Sequence, residues 1–281
     1  ILILAVFVRI IVALWSFNFR QNTDVLRYRD WGRIAYLYGL PDTYRGDHLS
    51  FGTLPNNQPP GSLYIISSMY NLSIQTSKVI LKITKSPPGS LQWVNGPLLD
   101  FFLRLPALVA DLVIGYIIYQ LVRTKSSEKL ALLSSTLFLF NPLIIYNSAF
   151  WGQMDSLNNL FILAAIYFLY KRKTELFMPF VFLSLFIKLS LLPLLPLFLL
   201  LLFLQNRKDL RKVFVSLIVS VALIFALTLP ISSQPFSFLA SFLTINGIGE
   251  MQNITAFAFN FWWVIFKPAI LIGNPNNLFS F

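Results

Sequence analysis

Asn147-Ser148-Ala149-Phe150-Trp151-Gly152-Gln153-Met154-Asp155-Ser156 is a short polar break between two long apolar runs. It sets an acid, an amide and an indole close together, where an uninterrupted membrane helix would carry none of them. Which side of a membrane this break faces, and what meets it there, organises the reading of the rest.

The runs on either side belong to a membrane protein. Of 281 residues, 56% are hydrophobic and only 12% charged, a balance outside that of soluble domains. Stretches such as 177–204 and 213–229 are too long and too bare of charge for a soluble core. One helical bundle with one large loop is therefore expected, not two soluble domains. The formal charge of +11 reads as basic loops flanking helices and not as a nucleic-acid surface. With no cysteine, disulfides and thiolate metal sites are excluded. The opening Ile1-Leu2-Ile3-Leu4 has neither methionine nor a basic leader. That start, and the stop at Phe281, are expected to be cuts into a longer chain.

Taken in order, residues 1–17 form a first membrane helix. Residues 19–96 form one large external loop with two surface helices, the first over Val25–Tyr38. Residues 61–85 are long enough to span. However, Ser67, Ser68, Asn71, Gln75, Lys78 and Lys82 recur at three- and four-residue steps and make one polar stripe, so this segment is expected to lie in the interface. Further crossings are expected at 97–122, 130–150, 156–170, 176–187, 190–204, 212–229 and 255–272.

Charge parity orders them. Arg123/Lys125/Lys129, Lys171/Arg172/Lys173 and Arg207/Lys208/Arg211/Lys212 should all be cytoplasmic. A single helix over 176–204 would put the last two on opposite sides. A hairpin turning at Lys188 removes the conflict, and spares a mid-bilayer lysine a cost of about 2.5–3.5 kcal/mol. The Asp24 loop, the 151–155 break, the Lys188 turn and a loop over 234–253 then share the external face.

Several segments, in order, carry a family likeness. They are Thr23-Asp24-Val25-Leu26-Arg27-Tyr28-Arg29-Asp30-Trp31, Gly39-Leu40, Asn57-Gln58-Pro59-Pro60-Gly61-Ser62-Leu63-Tyr64 and the run from Leu103 to Leu112. They continue with Asn141-Pro142, Trp151–Ser156, Lys188 followed by Pro193 and Pro196, and Ala258-Phe259-Asn260-Phe261-Trp262. The ordered set resembles the GT-C superfamily of polytopic membrane glycosyltransferases, nearest its bacterial and archaeal mannosyltransferase-like members. Gln58 departs from that pattern, where tyrosine is usual.

The resemblance implies an all-α, GT-C-type helical bundle. It also implies transfer of a mannose-like hexose, with inversion, from a polyprenyl-phosphate donor to an acceptor hydroxyl on a glycan, lipid or protein. Asp24, the acid after the first helix, takes the place of the catalytic base. Such a reaction needs a carboxylate for the acceptor's proton and cations for the leaving phosphate. Lys188, Arg27, Arg29 and Arg104 are the cation candidates. Asp155 and Gln153 would bind sugar hydroxyls, or a divalent ion if one is used; no metal ligand set is assigned. Trp151 would stack on the sugar or line a lipid groove. The expected setting is a prokaryotic plasma membrane, or the endoplasmic reticulum membrane in a eukaryote.

Each residue also has a plainer role. Asp24 and Asp155 suit helix N-caps, and Lys188 suits a snorkelling anchor. Asp30 is either a competing base or a salt-bridge partner of Arg27 or Arg33. Arg104 and Asp111, seven apart, share a face and could pair as structure. His48 reads as a solvated loop residue, and Trp262 and Trp263 as an interface belt. A polytopic transporter or lipid-linked-sugar flippase is the alternative function, set back by the lack of a visible repeat. A third reading is a non-catalytic relative that only binds lipid-linked sugar.

Overall fold

The computed structural model describes residues 1–18, 23–50, 53–87 and 96–248, all in helices and their connections. The chain divides into two units, 1–233 and 234–281. It is an integral, multi-pass membrane protein. Pro97–Arg123, Leu189–Asn206 and Leu210–Thr228 are each long and apolar enough to cross a bilayer, and the bent pair Glu128–Leu139 with Pro142–Trp151 makes a fourth if counted as one span.

In the first unit the helices are α1 (Leu2–Ser16), α2 (Thr23–Leu37), α3 (Asp42–Arg45), α4 (Pro60–Thr84) and α5 (Pro97–Arg123). They continue as α6 (Glu128–Leu139), α7 (Pro142–Ile145) running into a π-helical turn at Tyr146–Trp151, and α8 (Asp155–Tyr170). The last three are α9 (Phe177–Ile187), α10 (Leu195–Asn206) and α11 (Leu210–Thr228). In the second unit α12 (Pro235–Ile248) is an apolar helix on a stretch expected to be loop. The proline at its first position supplies the φ that a helix start needs. The 255–272 segment and Trp262/Trp263 lie outside the described residues.

The expected break at Lys188 is a real interruption. Lys188 is extended (φ −153°, ψ 131°), and a 3₁₀ segment, Leu189–Leu194, follows it. The chain doubles back there. Thr174, before α9, donates to Asn206 at the end of α10 (2.9 Å), and Phe177 packs edge-on against Phe198. Phe177, Val181, Leu185, Phe198 and Leu202 share one buried cluster with Ala165 and Leu169 of α8.

A second cluster decides where the polar residues go. Val25, Tyr28 and Trp31 of α2 pack with Leu63 and Ile66 of α4, Leu103 of α5, Met154 before α8, and Ile187 of α9. The helix expected over Val25–Tyr38 therefore starts two residues earlier, and it buries a full face instead of merely lying on a surface. α4 forms as one helix; Gly61, in its first turn, lies against the Phe186 carbonyl.

Outside the membrane-spanning segments, Asp30 organises the loop after α2. It is 5% exposed. It accepts from Arg33 (2.6 and 3.0 Å), the Ser50 amide (2.8 Å), the Ser50 hydroxyl (2.7 Å) and Thr53 (2.6 Å). Burial alone would raise its pKa, but the hydrogen bonds from Thr53, Ser50 and Arg33 outweigh it and hold the carboxyl below its ordinary value. A carboxylate depressed in the folded state stabilises above its unfolded pKa, near 4, and that stability is lost as pH falls through the folded value. Protection of the Ser50 amide, taken relative to its intrinsic exchange rate at each pH, is therefore expected to be high at pH 6 and to fall on acidification below about pH 4. Asp30→Asn should remove that pH dependence; an unchanged profile in the variant would assign the protection to other contacts.

Candidate functional site

The apolar cluster around Tyr28 and Trp31 has a polar counterpart one residue along the chain at three points. Asp24 precedes Val25, Gln153 and Asp155 flank Met154, and Lys188 follows Ile187. Burying the apolar member of each pair fixes the backbone from which its polar neighbour projects. Five residues named from the sequence therefore meet although they lie up to 164 positions apart.

Trp151 Nε1 donates to Asp24 Oδ2 (2.7 Å), and Gln153 Nε2 donates to the same oxygen (2.5 Å). Lys188 Nζ bridges Gln153 Oε1 (3.2 Å) and Asp155 Oδ1 (2.5 Å). Asn147 Nδ2 donates to Asp155 Oδ2 (3.1 Å). The result is one chain of charge-assisted bonds running Asp24, Gln153, Lys188, Asp155, Asn147. Its members are partly exposed, with Lys188 and Asp155 near one third, and the Trp151 ring is exposed.

The break itself is shaped by two local features. The π-helical turn carries one extra residue per turn, as such turns at functional sites often do; the amides of Gly152 and Gln153 both donate to the Asn147 carbonyl (3.0 Å each). Gly152 then takes φ +83°. A Cβ there would meet Val25 at 2.9 Å and Arg104 at 3.1 Å, so glycine is required both by conformation and by space.

The plainer readings of the two acids give way. Asp24 lies inside the first turn of α2, where a carboxylate also favours the helix dipole. Met154, not Asp155, occupies the N-cap of α8. Lys188 pairs with Asp155 instead of snorkelling alone. Asp155, the acid offered for a divalent ion, thus carries an ammonium; among the described residues no three of His, Cys, Asp or Glu gather.

The arginines are divided. Arg29 pairs with Asp100 (2.5 Å) and lies over the Phe17 ring, while Arg27 is partly exposed on α2. Arg104 is buried beneath Gly152 and donates to the carbonyls of Asp100 and Phe150 (3.1 Å each). The pairing of Arg104 with Asp111 is not found. Seven residues separate the two by roughly 10 Å of helix rise, and Asp100, one turn away, takes Arg104 instead at 3.8 Å. Asp111 is held by Arg9 of α1 (2.9 Å) and by Ser148 (2.6 Å).

Arg9 was not singled out from the sequence, although a lone cation inside an apolar helix is itself a signal. Asn147 and Asn158 were missed too; Asn158 joins buried Ser184 and exposed Ser190 in a relay between α8 and the segments on either side of Lys188. Gln58, the departure from the family pattern, donates to the Tyr28 hydroxyl (3.2 Å). Burial pushes that phenol well above its usual range, so it stays protonated. His48 stacks on Tyr38 at 3.8 Å, away from these residues in sequence and in bonding.

A protein-family model described as GPI transamidase subunit PIG-U matches residues 56–279. No curated protein matches, and no solved structure does. The matched stretch holds Trp151, Gln153, Asp155 and Lys188 but not Asp24. The match overturns the expected activity: the family is a subunit of a transamidase, not a hexosyltransferase. Mannosyl transfer with inversion and the polyprenyl-phosphate donor fall with it. The polytopic membrane character and the bilayer as a partner stand.

Proposed function

Because the chain belongs to the PIG-U family of GPI transamidase subunits, we propose that it is a non-catalytic subunit that holds the glycolipid for that complex. In this reading a GT-C-type bundle, in the endoplasmic reticulum membrane, keeps the sugar-binding half of its chemistry. Asp24, Gln153 and Asp155 bind hydroxyls or amines of the anchor's glycan, Lys188 attends a phosphate, and Trp151 offers a stacking face. The protein to be modified and the other subunits are its partners.

One observation carries the reading: the hydrogen-bonded chain from Asp24 to Asn147 at a partly exposed break in an apolar bundle. Acid, amide, cation and exposed indole are the side chains that recognise a charged glycan. Asp24 Oδ2 already accepts two N–H donors, which suits an orienting acceptor better than a base. Beside the cluster, Asn147 Oδ1 and Arg104 Nε are buried without a protein partner.

The test is binding of a short-chain phosphatidylinositol-glycan to the full-length protein in detergent. Asp24→Asn and Trp151→Ala are each expected to weaken it by about tenfold, or 1.4 kcal/mol. Binding of short-chain phosphatidylinositol without the glycan should not change. Equal glycan binding by both variants and the parent would remove the assignment.

A further inference from the structure

The end of α8 opposite Asp155 holds a second feature, built from different residues. A cleft of about 460 Å³ lies between the ends of α5 and α8, within the range of small-ligand sites, roughly 300–1,000 Å³. Its depth is apolar, with Ile117, Ala164 and Phe168; its mouth carries Gln120, Thr124 and Lys171. α8 has 16 residues, so the cleft is about 24 Å of helix rise from the Asp24 cluster. That places it toward the other membrane rim.

Lys171 at this mouth and Lys125, next in sequence to the lining Thr124, carry charge that no carboxylate among the described residues balances. Lys125 Nζ lies 5.7 Å from the centroid of the Tyr170 ring, and Lys171 Nζ lies 5.9 Å from the same ring and 5.7 Å from that of Tyr167. Among the described residues neither ammonium has a carboxylate partner; of the two acids near in sequence, Glu128 accepts from Tyr119 and Glu175 lies in the turn Thr174–Leu176. Arg123, Arg172 and Lys173 add to the excess. Cation–π contact at an exposed ring contributes only about 0.5–1 kcal/mol, and two like charges on one ring oppose each other. An anion held beside the Tyr170 ring would face two cations that have no other charge partner among the described residues.

We propose that this cleft binds one anionic glycerophospholipid of the surrounding leaflet, its phosphate between Lys125 and Lys171 and an acyl chain in the slot beside Ala164. Basic pockets between membrane helices at the rim are where such headgroups bind. The tyrosines sit where the headgroup meets hydrocarbon. Gln120 and Thr124 offer hydrogen bonds to the ester and headgroup oxygens.

The test uses the full-length protein in neutral detergent, titrated with phosphatidylserine or phosphatidylcholine and read by native mass spectrometry. One phosphatidylserine is expected to be retained in preference to phosphatidylcholine. The double variant Lys125→Gln/Lys171→Gln should lose about tenfold in phosphatidylserine affinity and keep its phosphatidylcholine binding. Both lysines are exposed, so this variant should fold. Ala164→Trp, which fills the slot, should displace both lipids. Unchanged phosphatidylserine binding in the lysine variant overturns the proposal, and so does displacement of the lipid by millimolar inorganic phosphate, which would mark a simple anion site. Glycan binding at the Asp24 cluster is read separately and should be the same in all these variants.

Discussion

Asp111→Ala is expected to lower stability by about 3–5 kcal/mol, seen as a midpoint drop of roughly 10 °C in detergent-solubilised protein. The cost comes less from the lost bond than from what remains. Arg9 is 1% exposed and Asp111 fully buried, so the variant strands a guanidinium in an apolar interior. Arg9 keeps its bonds to the carbonyls of Leu139 (3.0 Å) and Ala5 (3.3 Å), but these do not neutralise it. Ser148 loses its carboxylate acceptor as well, which loosens the turn that carries Trp151. Because Arg9 Nη2 and Asp111 Oδ1 are unpaired even in the parent, the double variant Arg9→Leu/Asp111→Leu should recover more than half of the loss. A single variant that unfolds within about 1 kcal/mol of the parent would show that the pair does not clamp the bundle.

Gly61→Ala is expected to cost about 2–3 kcal/mol and to weaken glycan binding together with stability. A Cβ there would lie 2.5 Å from the Phe186 carbonyl oxygen and 2.8 Å from its carbon. Both are backbone, so α4 and α9 must move apart. Phe186 is two residues from Lys188, so the movement reaches the polar cluster. Gly115 is the control: its added Cβ would be as close to Leu139 (Cδ2 2.5 Å, Cγ 2.6 Å), but that contact is a side chain and not backbone. Gly115→Ala should therefore cost clearly less, measured by the same thermal unfolding. Equal losses at the two positions would refute the backbone argument.

The helical membrane architecture was legible because apolar run length and the placement of basic loops are strong, local signals. Lys188 betrayed its break in the same way, as a charge where a straight helix could not hold one. Charge parity put Asp24, Trp151, Gln153, Asp155 and Lys188 on one membrane face; that they share one site came from the resemblance, since no spacing within one helix links position 24 to position 188. Arg9 with Asp111 was out of reach for the same reason; the eye paired Asp111 with the nearest arginine on its own helix. The activity was misread because binding a sugar and transferring it draw on the same side chains. Acids, amides and an indole gathered at one place say little about which bond is broken, or whether any is.

α8, with 16 residues, and the Thr174–Ile187 stretch, with 14, both end at the Lys188–Asp155 pair. At 1.5 Å per residue they measure about 24 and 21 Å, against hydrocarbon about 30 Å thick. Both fall short of that thickness, and a span of such length is met by local thinning of the bilayer or by snorkelling of its flanking residues. Where the bilayer thins beside such a short span, lipid headgroups lie closer to the level of Lys188.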